Sequence, residues 1–478
     1  MISHSPGAWR LTPHRPRALS FGLALTLVLT GCASSTKPKP QDDAPAVAMA
    51  IPTAWSAPTT PGNRGQATAL AQWWQNFNDP LLTTLVTQAL QANTSVHASQ
   101  AALQQARALR DVKGAGLLPG VSASGSAQRN QSGDNVPTNN FKVGLDASWE
   151  PDIFGGKHSA LDATEADAQA AQSTLADTQV SVAAEVALAY IQLRGQQAQL
   201  AIARTNLDSQ NETLQITDWR AQAGMTTSLE VEQARTASAQ TSAQLPALEA
   251  SMAKTRHALA VLTGQAPDAL QNTLTQVQPV PQTAHDLALS IPAQTLRQRP
   301  DVRAAEHRIS AALARVSQAQ AARYPSFSMG GSIGLGALTL EALTNSASVL
   351  KALLASVSIP LLDGGAAKAQ VQAQEAALEQ ARVNYQTVVL TALKDVEDAL
   401  VALQGDRARQ THLQSAATAA GNAALLAQQR YASGLIDFQT VLQTQRTLLT
   451  AQDSVAGSQA DISSDHVRLY KALGGGWN

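Results

Sequence analysis

Apolar and polar residues alternate strictly from Phe141 to Trp149. Apolar residues stand at every second position, which is the pattern of a β-strand with one apolar and one polar face. The stretch from Val121 to Asn130 alternates in the same way, and residues 131–140 between them are rich in turn-forming Gly, Asp, Asn and Pro. This pattern predicts a hairpin with strands at about 119–130 and 139–150. Such strands occur in a transmembrane β-barrel, with lipid outside and water inside, and also in a soluble sandwich.

A second strand hairpin is predicted at about 325–337 and 348–360, with its turn around Thr344, Asn345 and Ser346. Its last strand alternates poorly between apolar and polar residues. Lys351 falls within this strand, and a charged side chain fits badly on a face that meets lipid.

Two long segments rich in Ala and Gln are free of proline, since none lies between Pro151 and Pro246 and none follows Pro360. Because proline breaks helices, each segment is predicted to continue as one helix, from residue 156 to about 218 and from 365 to 429. A helix of about 60 residues is about 90 Å long, far more than a globular domain needs.

Each long helix is followed by a glycine, Gly224 or Gly434, and then by a second helical segment, at 229–262 or 438–473. Glycine readily ends a helix in the left-handed conformation, so the chain turns back there. Helical hairpins are therefore predicted at about 156–265 and 365–473.

The two halves of the chain follow the same plan of a helix, two strands and two long helices. Pro151 and Pro360 lie 209 positions apart, and Gly224 and Gly434 lie 210 apart. A nearly constant offset indicates an internal duplication. We therefore predict a first repeat at 69–270 and a second at 285–475.

The N-terminus has the features of an export signal: basic residues within 10–17 precede an apolar run at 19–29 that is too short to cross a bilayer. The run leads into LTGC, which resembles the lipobox of bacterial lipoproteins and ends at Cys32, the one cysteine of the chain. This predicts a signal peptide at 1–31 and N-acyl and S-diacylglycerol chains on Cys32. A buried or incidental thiol is the alternative.

A Pro-rich stretch follows, and residues 32–68 are predicted to form the lipidated N-terminus and an extended linker. Residue 33 is Ala; by resemblance to lipoproteins, Asp at this position would signal retention in the inner membrane, so the outer membrane is favoured.

The composition argues against several other classes of function. The formal net charge is −1 and charged residues make up 14% of the chain, which leaves no basic stripe for nucleic acid. The nine histidines form no metal-binding motif, and no phosphate-binding glycine loop is present. We therefore predict no enzyme activity, no metal site and no cofactor other than the covalent lipid.

Four transmembrane strands are too few to close a barrel, since the smallest barrels have about eight, and an open edge in lipid leaves backbone amides without partners. The chain must therefore oligomerise. Eight strands in a dimer and twelve in a trimer both satisfy this requirement.

Three motifs carry a resemblance to a known family. They are WWQNFNDPL at 73–81, SWEPDIFGGK at 148–157 and LRQRPDVRAAE at 296–306. With them, the chain resembles the TolC-like outer-membrane factor family, in its lipoprotein branch of NodT- and OprM-type efflux channels. The resemblance implies a mainly α fold with a transmembrane β-barrel, in which a homotrimer joins a 12-stranded β-barrel to a long periplasmic α-helical barrel.

The resemblance also implies the function and the partners. The chain is expected to be a lipid-anchored exit duct in the outer membrane, for drugs and small molecules driven by an inner-membrane RND or ABC transporter through a periplasmic adaptor. A type I protein-secretion channel has the same architecture with another partner. A non-conducting periplasmic scaffold lipoprotein is the alternative from a different class.

In this family the helical turns form the periplasmic tip, which implies an adaptor contact at Gly224, Met225, Gly434 and Leu435. Glycine caps alone would have the same sequence. The resemblance further makes Arg220, Tyr431 and Asp437 candidates for a gate, with a solvated helix face as the alternative. Thr440 and Gln443 replace the acidic ring of some relatives.

Overall fold

The computed structural model describes residues 68–283 and 296–475, together with residues 52, 54 and 55. The predicted signal peptide, Cys32 and most of the linker lie outside the described residues. The first half contains α1 Thr68–Ala71, α2 Pro80–Ala92, α3 Thr94–Ala115, β1 Gly120–Asn130, β2 Thr138–Trp149, α4 Gly156–Gln222 and α5 Ser228–Leu262. The second half contains α6 Pro300–Ala321, β3 Ser326–Ala337, β4 Val349–Ser358, α7 Ala366–Ala432 and α8 Phe438–Ala472.

The two halves contain helices of equal length. Helices α4 and α7 have 67 residues each, while α5 and α8 have 35 each. At 1.5 Å per residue, the longer pair extends about 100 Å. Both long helices continue three to four residues beyond the predicted ends at 218 and 429. The expectation of a mainly helical fold is confirmed.

Small side chains let the helices pack closely. A Cβ placed on Gly195 of α4 would lie 3.1 Å from the Cβ of Ala460 on α8, so the two backbones approach through a glycine–alanine contact. Pro246 lies within α5, which continues to Leu262 although proline removes one backbone donor. Within the described part of the chain, no helix combines the length and apolar character needed to cross a membrane.

The four strands form one antiparallel sheet in the order β1-β2-β3-β4. The β2–β3 pairing joins the hairpins of the two halves, with Leu145 opposite Ile333. It passes through a glycine pair, Gly144 opposite Gly334, and a Cβ on Gly334 would lie 2.6 Å from the carbonyl oxygen of Val143. Only glycine fits this approach without displacing the neighbouring strand.

The sheet has two faces of different character, since residues paired across strands lie on the same face. One face is apolar apart from a few positions, and its apolar and glycine residues are Val121, Ala123, Gly125, Ala127, Phe141, Val143, Leu145, Ala147, Trp149, Phe327, Met329, Gly331, Ile333, Leu335, Ala337, Val349, Leu353, Ala355 and Val357. Lys351 also lies on this face, opposite Ile333. The other face is mainly Ser and Gly, but it includes Leu350 and Leu354, which explains the poor alternation in β4.

The main core lies where the N-terminal segment meets α4 and α8. Trp73 is fully buried and stacks on Tyr470 of α8 with ring centroids 5.1 Å apart. Asp79 caps α2 by accepting hydrogen bonds from the backbone amides of residues 81 and 82, and its second oxygen accepts one from the Tyr190 hydroxyl at 2.7 Å. Buried Arg194 donates to the same hydroxyl oxygen at 2.9 Å. The motif at 73–81 therefore fastens the start of the described body to the long helices.

Candidate functional site

The two helical hairpins turn at glycines with the same backbone geometry. Gly224 follows α4 with φ 72°, and Gly434 follows α7 with φ 71°. The amide of Met225 donates to the carbonyl of Arg220 at 2.8 Å, and the amide of Leu435 donates to Arg430 at 2.8 Å. This is the hydrogen-bonding pattern of a left-handed glycine cap, which satisfies the last carbonyls of each helix.

The side chains that follow these glycines point into solvent. Met225 is 68% exposed and Leu435 is 74% exposed. Trp219, in the last turn of α4, is also exposed. Large exposed apolar side chains at both turns are typical of a surface that binds another protein. The capping role of the glycines is compatible with such a contact.

Arg220 and Tyr431 link the two helical hairpins across 211 positions of sequence. The Arg220 Nη1 donates a hydrogen bond to the backbone carbonyl of Tyr431 at 2.6 Å, and the guanidinium lies 4.5 Å from the centroid of the Tyr431 ring. These contacts combine a charge-assisted hydrogen bond with a cation–π interaction. The structure therefore brings two of the three candidate gate residues into direct contact.

Tyr431 belongs to a small buried cluster at the turns. Its ring packs against Phe438 with centroids 5.5 Å apart, and the remaining buried members of the cluster are Ala234, Ala237, Ala427, Val441 and Leu442. Sequence reasoning missed Phe438, although it is the first aromatic residue after the second turn. Within the described residues, Arg220 Nε and the Tyr431 hydroxyl are buried without a hydrogen-bond partner. The contact between the hairpins is thus incompletely hydrogen-bonded.

Asp437 has a different role in this structure. Its Oδ1 accepts hydrogen bonds from the Thr440 amide at 2.8 Å and from the Thr440 hydroxyl at 2.6 Å, which makes Asp437 the N-cap of α8. The hydrogen bonds from Thr440 hold the pKa of this carboxyl below its ordinary value. Among the described residues, Asp437 makes no ion pair with Arg220, so it stabilises the turn locally.

A charged cavity of about 430 Å³ lies away from the turns, among α4, α6, α7 and α8; its lining includes Asp177, Arg299, Asp301, Asp395, Asp465, Arg468 and Lys471. Arg299 donates to both oxygens of Asp301 at 3.0 and 2.7 Å and to the carbonyl of Ala472 at 2.8 Å. These bonds tie the start of α6 to the end of α8, which supports a structural role for the motif at 299–301.

Asp465 is the most buried carboxyl of this cavity. Its side chain is 1% exposed; Oδ1 accepts a hydrogen bond from Arg468 at 2.6 Å, while Oδ2 has no hydrogen-bond partner within the described residues. Burial, assisted by the neighbouring Asp406 carboxyl and opposed by Arg468, raises the pKa of Asp465 to about 6. This group is therefore poised to change charge just below neutral pH.

Long paired helices, strand hairpins with one apolar and one polar face, and helical turns at the far end together define an outer-membrane channel with a long helical extension. The model of the outer membrane efflux protein family matches residues 85–265 and 291–475. The chain belongs to this family.

Individual relatives match over nearly the full length. The pyoverdine export outer membrane protein OpmQ of Pseudomonas putida is 34% identical over 475 residues, covering 97% of this chain and 98% of the relative. The toluene efflux pump outer membrane protein TtgI of Pseudomonas putida is 31% identical over 468 residues, covering 96% and 98%. The solved structure of the outer-membrane channel OprN matches with a TM-score of 0.81 and 33% identity, covering 89% of this chain and 99% of that one.

These matches confirm the family resemblance, the helical and strand architecture, the outer-membrane location and the role as an efflux channel. The family and its solved neighbours are channel proteins. The lipid on Cys32, the adaptor contact at the turns and the gate stay predictions.

Replacing Asp465 with Asn is expected to stabilise the protein near neutral pH. Because the folded-state pKa of about 6 lies above the ordinary value of 3.8, the folded state binds a proton more tightly than the unfolded chain between these values. The contribution of Asp465 to wild-type stability therefore rises as pH falls from 7.5 to 4.5. Asn mimics the neutral carboxyl, so D465N should be more stable than wild type at pH 7.5 by on the order of 1 kcal/mol, which raises the melting temperature of a chain of this size by about 1 °C. The difference should shrink at pH 4.5.

Thermal unfolding at both pH values measures this difference. The matched control is D461N on the same helix, since Asp461 is half-exposed and pairs with Arg409 at 3.7 Å. Its effect should be small. A D465N melting temperature at or below that of wild type at pH 7.5 would contradict the expectation.

Proposed function

We propose that three copies of this chain form the exit duct of a tripartite efflux system, a passive channel for drugs and other small molecules. The observation that carries this proposal is the four-stranded sheet, with one apolar and one polar face, whose edge strands β1 and β4 have no partner within the described chain. Three copies supply twelve strands, which can close into a barrel with lipid outside and water inside.

The duplicated helices support the proposed trimer. Each chain contributes two long helices of 67 residues and two return helices of 35. Three chains therefore provide six nearly equivalent hairpins, enough to surround a pore with pseudo-sixfold symmetry. A dimer would supply eight strands but only four helical hairpins, which enclose a much narrower space.

The proposed energy source lies outside this chain, in an inner-membrane RND or ABC transporter that delivers solutes through a periplasmic adaptor. Two relatives of similar identity to this chain are named for pyoverdine and for toluene, two chemically different molecules. This supports a conduit that conducts what its pump delivers. A protein-secretion channel would use the same conduit with another pump.

The N-terminal lipid is the second attachment to the membrane. We infer N-acyl and S-diacylglycerol chains on Cys32 from the preceding apolar run and the LTGC motif. Two or more acyl chains suffice for stable membrane anchoring. The intact mass of the mature protein checks this inference. If Cys32 is unmodified, the measured mass will equal that of the polypeptide alone.

Leu145→Arg is expected to impair insertion of the channel, because Leu145 lies at the middle of β2 on the apolar face. An arginine facing mid-membrane lipid costs roughly 2–4 kcal/mol in barrels of this type. The matched control is Ser124→Arg, one strand away on the polar face, where Ser124 donates to Asp146 at 2.7 Å. This variant should assemble normally and change only ion selectivity.

The measurement is the yield of SDS-resistant oligomer and the single-channel current in planar bilayers. Wild type and S124R should conduct, whereas L145R should insert poorly. A wild-type protein that never conducts, with L145R as stable as S124R, would favour the scaffold alternative.

The turns are proposed to act as both gate and adaptor-binding tip. Met225 and Leu435 supply exposed apolar contacts, and the Arg220–Tyr431 contact holds neighbouring hairpins together. Adaptor binding would pull the hairpins apart and widen the tip. Because the contact leaves two buried polar atoms unsatisfied, little energy is needed to break it.

Arg220→Gln is expected to open the isolated channel. Loss of a charge-assisted hydrogen bond should increase the open probability by about tenfold. The matched control is R235Q, since Arg235 forms an exposed ion pair with Glu232 on its own helix. In planar-bilayer recordings, wild type and R235Q should give small, flickering currents, and R220Q should give larger currents with longer openings. Adding the adaptor should raise wild-type conductance toward that of R220Q; identical currents for R220Q and wild type would rule out this gate.

A further inference from the structure

Lys351 is the third residue of β4 and lies on the apolar face of the sheet. It pairs with Ile333 on β3, which pairs with Leu145 on β2. Its neighbours on the same face of its own strand are Val349 and Leu353. The side chain is exposed and makes no ion pair or hydrogen bond within the described residues. An ammonium group thus stands in apolar surroundings without a counter-charge.

No carboxylate is available on this face. The four strands all lie within the described part of the chain, and the one acidic residue among them is Asp146, which lies on the polar face opposite Ser122. Glu341, in the connection between β3 and β4, makes no ion pair with Lys351. Arg129, at the far end of β1, is the second cation on the apolar face. The face therefore carries positive charge only.

The β1 strand of a neighbouring copy does not supply the missing counter-charge. In the proposed barrel, the β4 edge of one protomer meets the β1 edge of the next. The β1 residues on the apolar face are Val121, Ala123, Gly125, Ala127 and Arg129, none of them acidic. The first four of these have small side chains, which leave open space beside the β4 edge. On this face of the sheet, the membrane is the remaining source of a counter-charge.

The position of Lys351 along β4 indicates which leaflet of the membrane its side chain meets. The helices α4 and α7 leave the sheet after β2 and β4, so the connections at 131–137 and 338–348 lie at the opposite, extracellular end. Lys351 is the third residue of β4 from that end. A lysine stem can extend along apolar surface and place its ammonium group at the membrane interface. That level holds the phosphate groups of outer-leaflet lipid.

We propose that Lys351 binds a phosphate group of an anionic glycolipid of the outer leaflet, with one such site at each junction between protomers. The site rests on the proposed barrel, because it requires β4 to face lipid. Bound lipid would fill the space over the small residues of β1, and its phosphate would neutralise a charge that otherwise destabilises the barrel wall.

Native mass spectrometry of the full-length oligomer tests the proposal with two probes, diphosphoryl lipid A and its dephosphorylated form. Wild type should retain the phosphorylated probe about tenfold more strongly than the dephosphorylated one. K351Q should lose most of this preference, while K351R should keep it. The matched control is K142Q, because Lys142 lies on the polar face of β2, opposite Gly336, and should leave lipid retention unchanged.

Equal retention of the two probes by wild type would overturn the proposal, as would a preference that persists in K351Q or disappears equally in K142Q. The wild-type comparison remains decisive even if K351Q fails to assemble. Planar-bilayer conductance of the same samples reports separately on the proposed function. K351Q should conduct like wild type. An absence of current in every sample would contradict the proposed channel function, on which the lipid site rests.

Discussion

The backbone groups on the outer edges of β1 and β4 govern the rest of this molecule. Each exposed amide or carbonyl that meets hydrocarbon without a partner costs several kcal/mol, and two edges of ten or more residues add many such groups. No rearrangement within a four-stranded sheet removes them. In a membrane, this sheet therefore requires self-association. Its apolar face can meet lipid only once the edges of β1 and β4 are paired.

The same condition is relaxed along the helices, where most backbone hydrogen bonds are made within each helix. There the chain relies on small residues, such as Gly195 against Ala460, and on a few buried polar contacts. The result is a wall that is strongly held at the sheet and near the Trp73–Tyr470 stack but lightly held at the turns, where one guanidinium connects two hairpins. Such a gradient of stability agrees with the proposed gate at the turns.

Much of this architecture could be predicted from local pattern. Alternation located the strands within one or two residues, and the absence of proline together with Gly224 and Gly434 located the long helices and their turns. Contacts between distant parts of the chain could not be read in this way. The Arg220–Tyr431 link, the packing of Phe438 and the capping role of Asp437 depend on how the two repeats are placed side by side. The β2–β3 register likewise depends on a glycine pair that no periodicity distinguishes from other glycines.

The identical helix lengths of the two repeats have a consequence for how such a protein can change its reach. Inserting one residue into an α-helix advances it by 1.5 Å and rotates everything beyond by 100°. In a tube made of hairpins, a single insertion in α4 would rotate the residues that pack on α8 away from that helix. It would also move the turn at Gly224 out of line with the turn at Gly434. A longer or shorter tube therefore requires matched insertions in both arms of both hairpins, in steps of about 7 or 11 residues that restore the facing side. The matched lengths of 67 and 35 residues in the two halves agree with a duct whose span can change only in whole helical repeats.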